Sequence, residues 1–113
     1  MEDPSEMPSH EILLHRADWA RLTLEQLAKD AELSGLVWPA VAVPTDYAGW
    51  TALILEWLQA MDRQNPEWLG RFLYRVDLPE SRFRENPFPS EEMAEAVLRR
   101  EFMKVWFKAR YRP

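Results

Sequence analysis

Apolar residues recur at helical spacing in four stretches of this chain, and the first stretch lies between Ser9 and Gly35. Ser9 can cap a helix, and Gly35 suits the left-handed position that ends one. The apolar stripe between them alternates steps of four and three and consists of Leu13, Ala17, Ala20, Leu24, Leu27 and Ala31. Thr23 followed by Gln26 also forms a capping-box pattern, so an alternative is a helix that breaks and restarts near Leu22.

Two further helices are predicted in the middle of the chain. Thr45 or Asp46 can cap the first of them, and Asn65 with Pro66 provides an N-cap and first position for the second. The first has apolar positions at i, i+3, i+4, i+7, i+8 and i+11, namely Trp50, Leu53, Ile54, Trp57, Leu58 and Met61. The second ends before Pro79. Since the connection is short, we expect the two helices to form an antiparallel or sharply angled hairpin.

The last predicted helix begins at Ser90 and is apolar over much of its circumference. Acids follow in its first turn and bases in its C-terminal half, as the helix dipole favours. One stripe comprises Leu98, Phe102, Val105, Trp106 and Ala109, and an adjacent stripe comprises Met103, Phe107 and Tyr111. A single core contact needs a narrower stripe. The helix is therefore either central and packed on several neighbours, or its second stripe is exposed for a partner.

Residues 36–44 form an apolar segment that does not fit a helix. This segment contains Pro39 and Pro44, which prevent a central strand and favour an extended connector lying across the helices. We interpret residues 1–8 as a disordered lead and residues 79–85 as one or two helical turns. The pattern predicts an all-α fold, in which residues 9–113 form one small domain of about four main helices with an extended apolar connector.

Composition narrows the function classes. The 113 residues accommodate one domain and contain no cysteine, which excludes thiol catalysis and thiolate metal sites. The chain has three glycines, at positions 35, 49 and 70, and they do not form a dinucleotide-binding fingerprint or a phosphate-binding P-loop. No apolar run reaches the roughly 18–20 residues of a membrane span, and the acidic start is unlike a signal peptide. We therefore predict a cytoplasmic protein that does not bind a membrane.

Candidate catalytic and metal-binding residues are few. Glu11, His15 and Asp18 would share one face of a continuous helix and could in principle bind a metal ion. We favour the simpler interpretation of a solvated polar face. No serine lies in a nucleophile-elbow pattern. The sequence thus predicts a protein that is not an enzyme and binds no cofactor or metal.

Residues 22–34 resemble the first half of a repressor-type helix-turn-helix, in which a following helix enters the DNA major groove. Two positions depart from that motif: Glu32 replaces the glycine of the turn, and Pro39 interrupts the would-be recognition helix soon after Ser34. Asp30 and Glu32 would also face phosphates. We therefore do not assign the chain to that family.

Charge is unevenly distributed along the chain. The net charge is −5, but residues 1–70 carry −8 and residues 71–113 carry +3. Six bases against one acid occupy the last fifteen residues. A basic helix with interleaved aromatic residues suits a protein interface, and it could also contact nucleic acid.

The leading hypothesis is a non-catalytic protein–protein interaction or adaptor module, with a protein partner or a second copy as its ligand. Its expected contact residues are Arg99, Arg100, Met103, Lys104, Phe107, Lys108, Arg110 and Tyr111, together with Trp38 and Trp68. The alternative is a nucleic-acid-associated regulator that binds phosphates through Arg99, Arg100, Lys104, Lys108, Arg110 and Arg112.

The six tryptophans divide into two sets. Trp50, Trp57 and Trp106 lie on apolar stripes, so packing alone explains them. Trp19, Trp38 and Trp68 lie beside a stripe, in the connector and at a helix start. Exposure of these three would favour a binding surface, because tryptophan combines a large apolar ring with a polar N–H.

Overall fold

Five α-helices make up the regular structure of residues 7–78 and 89–111, the part of the chain that the computed structural model describes. They are α1 (His10–Leu13), α2 (Ala17–Leu33), α3 (Tyr47–Gln64), α4 (Pro66–Arg75) and α5 (Glu91–Arg110). These residues contain no strand, so the predicted all-α fold with four main helices is confirmed. The helical turns expected over 79–85, and residues 1–6 of the expected lead, lie outside the described residues.

The main helix ends are set by the local chemistry that the sequence indicated. Side-chain oxygens of Asp46, Asn65 and Ser90 accept a hydrogen bond from the backbone N–H three residues later, at 2.7, 3.3 and 3.2 Å. Each oxygen satisfies a donor that has no partner within its helix. Gly35 follows α2 with a φ of +85°, as expected for the glycine that ends a helix.

The first helical stretch is interrupted, at a different place from the alternative that the sequence suggested. Thr23 lies inside α2, where its hydroxyl donates to the carbonyl of Trp19 at 2.8 Å, so no restart occurs near Leu22. The break lies between α1 and α2 instead. There, the backbone N–H groups of His15 and Arg16 bond to carbonyls three residues earlier, which tightens the chain into a turn.

Helix α5 is the centre of the core. It packs against both α2 and α3, and α4 packs against α3 and α2. Nine of its twenty residues are buried, including Phe102 and Trp106. The wide apolar circumference of α5 is therefore explained by several packing neighbours, the first of the two interpretations that the sequence left open.

The connector over residues 36–44 is extended and lies against α3, as predicted. Leu36 is buried, and the indole N–H of Trp57 donates to the carbonyl of Val37 at 2.9 Å. The rings of Trp38 and Trp57 are in contact, with their centroids 5.0 Å apart. The hydrogen bond and the ring contact hold the connector against α3.

Candidate functional site

The bases of α5 connect this helix to the rest of the fold. Lys104 donates to Asp30 of α2 at 2.7 Å, and Lys108 donates to Gln26 of α2 at 2.6 Å. Arg100 donates to the backbone carbonyl of Val76 at 3.2 Å. Three of the bases expected to contact a partner are thus engaged within the chain itself.

The apolar side chains expected on the outer face of α5 are mostly covered. Met103 is 4% exposed, and its sulfur accepts a hydrogen bond from Arg99 at 3.4 Å. Phe107 is half-buried against Trp106, with ring centroids 5.1 Å apart. The guanidinium of Arg110 lies 5.1 Å from the centre of the Trp106 ring. Met103 therefore does not present a surface to a partner.

Tyr111 is the exception on the second stripe of α5, since 55% of its surface is exposed. It follows the last residue of the helix, and the Arg110 guanidinium lies 5.6 Å from its ring centre. The exposed aromatic surface at this end of the molecule is thus centred on one ring. We call it the Tyr111 end.

The tryptophans separate as the sequence predicted. Trp50, Trp57 and Trp106 are buried, Trp19 and Trp38 are half-buried, and Trp68 is 37% exposed. Of the three that could mark a binding surface, Trp68 is the most open. Its ring lies in a groove that the sequence did not indicate.

This α2–α4 groove is open to solvent, has a volume of about 600 Å³, and lies between the C-terminal end of α2 and one face of α4. The groove is lined by Leu33, Ser34, Gly35, Trp68, Arg71, Tyr74 and Arg75. Two further apolar side chains here are strongly exposed, Leu33 at 55% and Tyr74 at 80%. Protein-binding surfaces are enriched in aromatic side chains and arginine, and this groove contains both.

Gly35 gives the groove its shape for two physical reasons. Its φ of +85° is a backbone conformation that other residues rarely adopt. A Cβ atom at this position would also lie 2.9 Å from the nearest ring atoms of Trp68. The indole therefore packs directly on the backbone that ends α2.

The two arginines of the groove differ in how firmly they are held. Arg71 pairs with Glu67 at 3.7 Å, and both side chains are well exposed, so this ion pair contributes little to stability. Arg75 lies with its Nε 3.5 Å from the buried carboxylate of Asp30. Arg71 is thus adaptable, whereas Arg75 is oriented from the interior.

Behind the groove lies a polar cluster in which Asp30, Glu101 and Gln26 are buried, Lys104 is half-buried and Lys108 is exposed. Burial and the neighbouring Asp30 raise the pKa of Glu101 from 4.5 to about 9. Burial would also raise the pKa of Asp30, but hydrogen bonds from Glu101, Lys104 and Gln26 outweigh it and lower that pKa below its ordinary value. Glu101 is therefore the neutral member of the pair at neutral pH.

Sequence reasoning identified Trp68 of the groove but missed the other residues that line it and the buried acid. Tyr74, Arg71 and Arg75 lie off the apolar stripe of α4, so their periodicity carries no signal. The burial of Glu101 does have a signal in the sequence. This residue lies four residues after Val97 and four before Val105, inside an apolar face. An acid at that position is expected to be buried.

Metal and membrane binding gain no support from the described residues. The helix is interrupted between Glu11 and Asp18, so these two residues do not share one helix. Asp18 forms an ion pair with Arg16 at 3.2 Å. Residues 7–78 and 89–111 contain no group of three or more ligands that could hold a metal ion. Within the same ranges, no helix is long and apolar enough to cross a membrane.

The helix-turn-helix resemblance fails at the second helix. Helix α2 ends at Leu33, residues 36–44 are not helical, and the next helix begins at Tyr47. No protein-family model, curated protein or solved structure matches this chain. The described residues therefore form an all-α fold with an open aromatic–arginine groove between α2 and α4.

Proposed function

We propose that this protein is a cytoplasmic, non-catalytic interaction module that binds a partner protein through the α2–α4 groove. The observation that carries the proposal is the exposure of Trp68 and Tyr74 beside Arg71 and Arg75. Tryptophan, tyrosine and arginine dominate the binding energy of protein interfaces. The cysteine-free sequence fits a reducing compartment.

The lining residues favour a partner segment with an apolar side chain next to a carboxylate. Leu33, Trp68 and Tyr74 offer apolar surface for the first, and Arg71 and Arg75 offer guanidinium groups for the second. Arginine binds carboxylates through paired hydrogen bonds, which also orient them. The groove is thus a locally basic site on a chain whose net charge is −5.

The Tyr111 end is the second candidate surface for a protein partner. Tyr111 is exposed, and the Arg110 guanidinium lies 5.6 Å from the centre of its ring. We favour the groove because it combines a concave shape with three exposed apolar side chains. The Tyr111 end has one such side chain.

Nucleic acid remains the alternative ligand class. Binding to phosphates needs several bases that are available to the ligand. Arg100, Lys104 and Lys108 are engaged within the fold, and the net charge of the chain is negative. These observations favour a protein partner.

Site-specific photo-crosslinking of the full chain in its host cell tests the proposal. A benzophenone amino acid replaces Tyr74 in the groove, Tyr111 at the end of α5, or Val37 on the connector, all three of which are exposed. We expect a protein crosslink from position 74 and none from 37 or 111. The crosslinked peptide should carry Asp or Glu beside an apolar residue.

Binding of that peptide to purified variants provides the matched control. Tyr74→Ser and Arg71→Gln should each weaken its affinity by about tenfold or more, as substitutions in the centre of an interface do. Tyr111→Ser should leave the affinity unchanged. Crosslinks to RNA, to a second copy of the chain, or from position 111 alone would each overturn the proposal.

A further inference from the structure

A buried carboxyl group lies where α2, α4 and α5 meet, behind the α2–α4 groove. Glu101 is 0% exposed, and neither of its carboxyl oxygens has a hydrogen-bond donor within reach among the described residues. Burying a carboxylate without a donor is costly, and protonation removes that cost. The neighbouring acceptor is Asp30, because the Lys104 ammonium lies 2.7 Å from Oδ2 of Asp30 and 3.9 Å from Oε1 of Glu101. A protonated Glu101 can donate to that carboxylate.

We propose that Glu101 and Asp30 share one proton at neutral pH, and that this proton acts as a latch that holds α5 against α2. When Glu101 loses the proton to solvent, the hydrogen bond from its O–H to the Asp30 oxygen is broken. Two carboxylates then lie around the single Lys104 ammonium, and their like charges repel each other in a buried site. Loss of the proton therefore weakens the interface between the two helices.

The surrounding bases compensate Asp30 better than Glu101. Lys104 lies 2.7 Å from an Asp30 oxygen and 3.9 Å from a Glu101 oxygen. Arg75 of α4 contacts Asp30, and Lys108 of α5 donates to Gln26 of α2. The buried side chains of α3, which also packs on α5, are uncharged. A second negative charge on Glu101 is thus left with weak compensation.

The direction of the pH effect follows from the two states of Glu101. In the folded chain its pKa is raised to about 9, whereas in the unfolded chain it has its ordinary value near 4.5. The folded state therefore keeps a proton that the unfolded state has already lost between these two values. Stability is highest below the unfolded pKa and falls as the pH rises, with a tenfold loss in the folded-to-unfolded ratio for each pH unit.

The other groups with shifted pKa values among residues 7–78 and 89–111 act outside the range from pH 7 to pH 9. Burial lowers the pKa of His10 below 6.5, and the pKa of Asp30 lies below its ordinary value of 3.8. Burial raises the pKa of Tyr47 above 10. A slope measured between pH 7 and pH 9 therefore reports on Glu101.

Chemical denaturation of the full chain across that pH range tests the latch. The wild type should lose about tenfold in its folded-to-unfolded ratio per pH unit, whereas Glu101→Gln should show a flat profile. Glu95→Gln, an exposed position on the same helix, should retain the wild-type slope. A flat wild-type profile, or the same slope in Glu101→Gln, would overturn the proposal.

A measurement on the wild type keeps the test decisive if Glu101→Gln fails to fold. Carbon-13 NMR of chains labelled at the glutamate carboxyl should show one carboxyl, that of Glu101, titrating well above neutral pH. Asp30→Asn should lower the midpoint of that one carboxyl, because it removes the neighbouring charge. Overturning results are the absence of a high-titrating glutamate or an unchanged midpoint in Asp30→Asn.

Discussion

The C-terminal half of α5 and the outer face of α4 contain the same kinds of residue and differ in where those residues lie. Helix α5 carries aromatic side chains interleaved with bases, yet Met103 is buried and Lys104 bonds to Asp30. Helix α4 also carries aromatic side chains and arginines, yet Tyr74 is 80% exposed and Arg71 has only an exposed ion pair. Similar composition therefore serves packing in one helix and a candidate binding surface in the other.

The difference arises from how many neighbours each helix has and where they contact it. Helix α5 packs against α2 and α3, so neighbours cover most of its two apolar stripes and leave Ala109 and Tyr111 exposed at its C-terminal end. Helix α4 has ten residues and buries Leu69, Phe72 and Leu73 on one face. The end of α2 reaches only the edge of its other face, which leaves a groove. Composition alone does not separate a central helix from a binding helix.

The largest expected difference in stability between the two regions comes from shortening one aromatic side chain in each. Phe102→Ala should lower the free energy of unfolding by about 3–5 kcal/mol, because it leaves a cavity among fully buried side chains. Tyr74→Ala should change it by less than about 0.5 kcal/mol, as exposed positions do. Urea denaturation measures both values. Similar losses in the two variants would contradict the assignment of α5 to the core and Tyr74 to the surface.

Removing one base from each helix should lower the free energy of unfolding by less than Phe102→Ala does. The loss should again be larger in α5 than in α4. Lys104→Met leaves the buried Asp30 without its nearest partner and should destabilise the fold by about 2 kcal/mol, a value reduced because Lys104 is partly exposed. Arg71→Met loses an exposed pair and should cost less than about 0.5 kcal/mol. Denaturation at low and high salt checks both variants. Equal sensitivity would mean that the bases of α5 are not structural.

The third expected effect concerns the groove itself. Gly35→Ala should destabilise the fold by about 1–2 kcal/mol, because a left-handed backbone disfavours alanine and the new methyl group meets the Trp68 ring. The variant should also displace Trp68, which a shift in its indole N–H signal in the NMR spectrum would report. Gly49→Ala does not serve as a control for this variant. Its Cβ would lie 2.9 Å from the Asp46 oxygen that caps α3. An unmoved Trp68 signal would contradict the contact between the indole and Gly35.

Much of the fold could be predicted from the sequence because helix ends depend on nearby residues. Asp46, Asn65 and Ser90 cap helices through oxygens only three residues from their donors, and Gly35 ends α2 through its own backbone. The break between α1 and α2 could not be predicted. Leu14, which lies in that break, is 1% exposed and belongs to the hydrophobic core.

The candidate site could be predicted only in part. Trp68 was among the expected contact residues because it lies at a helix start, off the main stripes. Tyr74 and Arg75 were not, since their exposure depends on where the end of α2 lies. The burial of Met103 and Lys104 likewise depends on the two helices that surround α5.

The sequence by itself determined the helices, their caps and which tryptophans are packed, because periodicity and capping act over three or four residues. The tertiary structure decided which aromatic and basic side chains reach solvent and brought Glu101 next to Asp30. Those outcomes depend on contacts between residues far apart in the chain, such as the 2.7 Å contact between Lys104 and Asp30. Local patterns carry no information about such contacts until the helices pack.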